Sequence, residues 1–126
     1  DHRARSKDTK VQPFSAASIG ASGIETLFVM TLELVHKKII DLNKAISLLT
    51  TNPANVLNMK KPSLEKNELA EFIIFDENFP DMINQNNLKT SPTPFDLRKI
   101  NGKILGTFIN GQAAYISQMF KDKIIK

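Results

Sequence analysis

Residues 20–36 read GASGIETLFVMTLELVH, and the architecture turns on this stretch. Ile24, Leu27, Phe28, Leu32 and Val35 fall at i, i+3, i+4, i+8 and i+11, the spacing of one helical face. Val29, Met30 and Leu34 widen that stripe, so the sequence predicts a helix over 24–36 that is covered on more than one side. Lys37 and Lys38 follow, where positive charge complements the dipole of a helix C-terminus. Upstream, residues 1–23 carry Pro13, small residues at Ser15, Ala16, Ala17 and Ser18, and glycines at Gly20 and Gly23, a composition that favours a loop.

Downstream, Asp41 predicts an N-cap for a helix that turns Leu42, Ala45, Ile46 and Leu49 inward. Asn52 as cap with Pro53 at the first helical position predicts a further short helix over Ala54, Val56 and Leu57, ending near Met59. The character then changes. Phe72-Ile73-Ile74-Phe75 is a short β-branched apolar run and reads as a strand. Pro80, Pro92 and Pro94 break the polar region from 77 to 99. Asn110-Gly111 between the apolar segments 103–109 and 112–116 is a strong hairpin signal, because both turn residues must take positive φ. The tail, 117–126, sets Met119, Phe120, Ile124 and Ile125 among lysines, a weak amphipathic helix.

Composition removes several functions. With no cysteine in 126 residues, disulfides, thiolate catalysis and thiolate zinc sites are out, which fits a cytoplasmic protein. The apolar runs are too short to cross a bilayer, and the charged N-terminus is not that of a signal peptide. A net charge of +4 gathers at the two ends, without the aromatic or groove-reading module that nucleic-acid binding requires. The expectation is therefore no nucleic acid and no membrane.

There are two histidines, His2 and His36, whereas a zinc site takes three or four converging ligands. His36 at a helix end reads as a surface residue. Asp1-His2 is the sharper pair, since a carboxylate can ligate metal and move protons. Gly20 and Gly23 lack the spacing of a phosphate-binding loop. Residue chemistry alone leads to an α+β segment with its function open. The chain starts at Asp1, within what reads as a functional motif, and is expected to be part of a longer polypeptide.

As an ordered string the same residues say more. Asp1-His2, Asp8-x-Lys10, Pro13-Phe14, Ala17, Gly20-x-x-Gly23-Ile24-Glu25-Thr26-Leu27 and Thr51-Asn52-Pro53-Ala54 follow in turn. This order resembles the end of the barrel in bacterial dihydroorotases of the binuclear-zinc type, members of the cyclic amidohydrolases. Ala70-Glu71-Phe72-Ile73-Ile74-Phe75-Asp76, Pro94-Phe95-Asp96 and Gly102-Lys103-Ile104 resemble later elements of that family.

The resemblance implies an α/β fold: the last strand end and closing helices of an amidohydrolase TIM-like barrel over 1–59, part of a small β-sandwich domain over 60–116, and a tail over 117–126. It implies zinc-dependent interconversion of N-carbamoyl-aspartate and dihydroorotate in pyrimidine biosynthesis, with two zinc ions in the complete enzyme and most ligands outside this chain. Asp1 matches the aspartate that binds metal and shuttles the proton, so it is the expected catalytic residue and metal ligand. Gly20 matches the glycine whose backbone lies against the substrate. The expected partners are that small-molecule substrate, the remainder of the barrel, further copies in a homo-oligomer, and aspartate transcarbamoylase. The alternative is a non-catalytic paralogue serving as a structural partner of aspartate transcarbamoylase.

The chain also departs from the family. Arg3-Ala4-Arg5 replaces Ala-Pro-His, whose histidine helps hold the substrate carboxylate; Arg5 could bind a carboxylate bidentately. Pro62, Asn67 and Leu97 stand where the family has glycine. This chain alone is expected to be inactive, and one face of the helix from Ile24 is expected to await strands that it does not contain.

Overall fold

The computed structural model describes residues 2–61, 63–90 and 92–124; Asp1, Pro62, Ser91, Ile125 and Lys126 lie outside the described residues. A short helix α1 (Lys7–Lys10) interrupts the N-terminal loop. A 3-10 turn over Ile24–Thr26 then leads into α2 (Leu27–His36), followed by α3 (Leu42–Leu49) and α4 (Thr51–Val56). Strands β1 (Phe72–Met82), β2 (Lys99–Ile109) and β3 (Gln112–Ile116) precede α5 (Gln118–Ile124). Among the described residues the strands form one antiparallel sheet in the order β1-β2-β3. No described helix is long and apolar enough to cross a membrane.

Local chemistry explains most boundaries. Asp41 caps α3 as the sequence predicts, its Oδ1 accepting from the Lys44 N–H at 2.7 Å. Asn110 and Gly111 take φ of 51° and 77°, the left-handed pair that a tight hairpin needs. α2 ends where Lys38 turns to φ 56° and the Ile39 N–H reaches back to the Leu34 carbonyl. Two boundaries differ from expectation. α4 starts at Thr51, with Ala54 N–H bonding to the Thr50 carbonyl, so Pro53 is third in the helix. Any of the first three positions suits a residue without an N–H. β1 runs through Pro80 to Met82, because it is an edge strand and an irregularity between Asp76 and Pro80 absorbs the missing donor.

The core forms where α2 crosses the sheet. Leu32 is 1% exposed and meets β2 at Gly102; Phe28 sets its ring edge-on to Phe75, with centroids 4.9 Å apart. The bidentate Arg98–Glu33 pair, at 3.1 and 2.8 Å, and a 2.9 Å bond between His36 Nε2 and the Glu77 carbonyl fix the helix at its edges. The start of this helical segment stays open: Ile24, in the 3-10 turn, is 60% exposed and Leu27, the first residue of α2, 52%.

Two of the replaced family glycines keep a left-handed backbone. Asn67 has φ 72° and Leu97 φ 59°, while Pro62 lies outside the described residues. Asparagine tolerates that region, but a leucine there is strained. Leu97→Gly should therefore stabilise by about 0.5–1 kcal/mol, after the added freedom of the unfolded glycine is subtracted. A denaturation midpoint that falls would show the strain to be absent.

Candidate functional site

The motif residues of the N-terminal region are tied around a single turn. His2 Nδ1 accepts from the N–H groups of Gly23 and Ile24, each at 3.2 Å, so that nitrogen carries no proton. The Arg3 N–H donates to the Ala21 carbonyl at 2.8 Å, and Arg5 Nε to the Ile19 carbonyl at 3.1 Å. Lys10 Nζ donates to the carbonyls of both Ser18 and Gly20, at 2.9 Å each. The Ser18 N–H closes the far end of this loop on the Thr9 carbonyl.

Gly20 stands at φ +127°, and a Cβ there would lie 2.7 Å from the Arg3 carbonyl oxygen. Only glycine lets the two limbs of the loop approach this closely. Arg5 spends its Nε on the loop itself, a role that its match to a substrate-holding histidine did not suggest.

Glu25 supplies the second half of the site. Its carboxylate accepts from the Lys89 and Thr90 N–H groups at 3.0 and 2.8 Å, and from the Thr90 hydroxyl at 2.8 Å. Since Thr90 gives its one hydroxyl proton to Glu25, buried Ser22 is the donor in the 2.6 Å Ser22–Thr90 bond. The Ser22 N–H reaches the Pro92 carbonyl at 3.2 Å. The segment before β2 is thus strapped onto the start of α2. A 530 Å³ groove opens between His2, the 21–24 turn, Leu27 and Met30 of α2, and Pro94-Phe95. A second concavity of 430 Å³, near Ala54, Leu57 and Glu68, has no bond to this knot.

Desolvation pushes the Glu25 carboxyl up, but the bonds from Lys89 and Thr90, with the Lys89 charge, outweigh it and hold it below the usual value. A depressed folded value means the strap is complete above the ordinary glutamate range, near about pH 4.3, and opens as pH falls through the lower folded value. The amide resonances of Lys89 and Thr90 should accordingly move with a midpoint below about pH 4.3. A midpoint at or above it would contradict the strap.

Of the residues singled out in the sequence, His2, Gly20 and Gly23 come together here, and His36 lies apart against Glu77. Asp1 is outside the described residues. Among the described residues no three of His, Asp and Glu converge so as to hold a metal ion. Lys10 and the Glu25–Thr90 strap are not legible in the sequence as such; only the Asp8-x-Lys10 and Glu25-Thr26 motif matches hint at them.

Comparison with known proteins places the chain in a family. The dihydroorotase of Ehrlichia canis (strain Jake) is 33% identical over 91% of this chain, and that of Sulfurihydrogenibium sp. (strain YO3AOP1) is 32% identical over 91%. These stretches are 26% and 28% of the two relatives, so the chain spans about a quarter of their length. A solved D-hydantoinase shares the fold with a TM-score of 0.76 at 22% identity, over 88% of this chain and 25% of that one. The profile of the amidohydrolase family matches residues 14–114, most of the chain, and with the dihydroorotase likeness this settles its kinship: the chain belongs to the amidohydrolase family.

Proposed function

We propose that this chain is the dihydroorotase-type part of a cytoplasmic cyclic amidohydrolase that interconverts N-carbamoyl-aspartate and dihydroorotate by closing and hydrolysing the ring amide. The observation that supports this reading best is the knot around the groove. Residues of separate dihydroorotase-like motifs meet there: His2 accepts from Gly23, Lys10 holds the Gly20 carbonyl, and Glu25 accepts from the Lys89 N–H. In this reading Asp1 moves the proton between the attacking oxygen and the leaving ring nitrogen, and the Gly20 backbone lies against the substrate.

The described residues do not form a metal site on their own. The two zinc ions of the complete enzyme would rest mainly on residues outside this chain, with Asp1 as its one contribution. Residues 1–59 would close a TIM-like barrel whose remainder covers exposed Ile24 and Leu27 where α2 begins. Residues 60–116 would be part of a small β-sandwich completed by chain from elsewhere, with 117–126 as a tail.

The test is turnover by the complete polypeptide that carries this segment. Dihydroorotate should be preferred over hydantoin by about 10²-fold or more in kcat/KM. The 126-residue chain alone should turn over neither. A preference for hydantoin would contradict the substrate assignment. A complete polypeptide inactive on both would favour a non-catalytic partner of aspartate transcarbamoylase.

A further inference from the structure

We infer that Lys10 is a positioning residue, which sets the Gly20–Ala21 peptide at the edge of the groove for an anionic substrate. This rests on the dihydroorotase reading and deepens it. A trans peptide is planar, so fixing a carbonyl also fixes the N–H of the next residue. Lys10 Nζ holds the Gly20 carbonyl at 2.9 Å and thereby aims the Ala21 N–H; Ala21 lines the groove. The same ammonium holds the Ser18 carbonyl, and Arg5 holds that of Ile19, which aims the Gly20 N–H. The Arg3 N–H takes the Ala21 carbonyl. Four successive carbonyls, 18 to 21, are thus anchored to the limb formed by residues 3–10.

Lys10 is half-buried at the end of α1, and both of its bonds go to neutral carbonyls. Its charge is not cancelled by those partners. It therefore supplies both order and positive potential beside the glycine assigned to the substrate, and charge-assisted bonds of this kind are the stronger class. Dihydroorotate and N-carbamoyl-aspartate are anions at neutral pH. The expected signature is weaker binding of the anion, with the chemical step preserved.

The experiment compares Lys10→Met, Lys10→Arg and the exposed control Lys7→Met in the complete polypeptide, with dihydroorotate as substrate. Lys10→Met should raise KM by about 10- to 100-fold with kcat kept within about 3-fold, the size expected for losing bonds to a charged group. Lys10→Arg should recover part of that loss, and Lys7→Met should match the parent. If Lys10→Met does not fold, a KM raised in Lys10→Arg supports the proposal in its place, and an unchanged one overturns it. A lower Tm with KM and kcat both unchanged, or a kcat loss at unchanged KM, also overturns it. If the parent polypeptide does not turn over dihydroorotate, the dihydroorotase reading fails and takes this inference with it. An active parent with an unchanged KM in Lys10→Met sinks this inference alone.

Discussion

Asp1→Asn in the complete enzyme should lower kcat for dihydroorotate by about 10²- to 10⁴-fold, the range for losing a positioned general acid–base group. Asparagine has nearly the same size but no oxygen that can take up and return a proton. In the function proposed above Asp1 is the proton-shuttling carboxylate, and the next residue, His2, is pinned by two N–H groups to the turn that borders the groove. Because Asn preserves the shape of the site, KM and Tm should change far less than kcat. Steady-state kinetics with matched denaturation curves separates the two effects. A variant within about 3-fold of the parent kcat would remove Asp1 from the mechanism.

Gly102→Ala should destabilise the fold by several kcal/mol, on the order of the sum of strain and crowding. Gly102 stands at φ +130°, and a Cβ there would lie 2.6 Å from Leu32 Cδ1. Backbone strain of about 1–3 kcal/mol and crowding of about 1–3 kcal/mol both oppose the change. Leu32 is 1% exposed and has little room to move aside. Leu32→Ala alone should cost about 2–5 kcal/mol through the cavity it leaves. In the double variant the new methyl occupies part of that cavity, so the combined loss should fall short of the sum of the two by about 1 kcal/mol or more. Urea denaturation of the four proteins measures this coupling. Additivity to within about 0.5 kcal/mol would mean that α2 does not rest on Gly102.

What can be read from the sequence is what short-range chemistry decides. The Asp41 cap and the Asn110-Gly111 turn depend on neighbouring residues, and both stand where the pattern puts them. The apolar stripe predicts the helix, but it sets Ile24 and Leu27 on the same face as Leu32; the structure buries Leu32 and leaves the other two open, a division that depends on what packs across from each. The extension of β1 through Pro80 is hidden, because the sequence does not say which strand lies at the edge of a sheet. Glu25 and Thr90 are 65 residues apart, and His36 and Glu77 are 41 apart. No local periodicity reports contacts of that range. Leu97 stands out in the sequence only as a replaced family glycine, and the left-handed backbone there supplies the physical reason. Lys10 looks like one more solvated lysine, since a bond from an ammonium to a carbonyl leaves no mark on composition.

A crystal structure of the complete polypeptide with dihydroorotate bound tests the central claim most directly. The ligand is expected in the groove beside the 20–23 turn. Its ring amide should stand within hydrogen-bond reach of the Asp1 carboxylate, about 3 Å, with its carboxylate toward the Gly20–Ala21 backbone. A ligand bound away from that turn, or an Asp1 side chain directed elsewhere, would contradict the assignment.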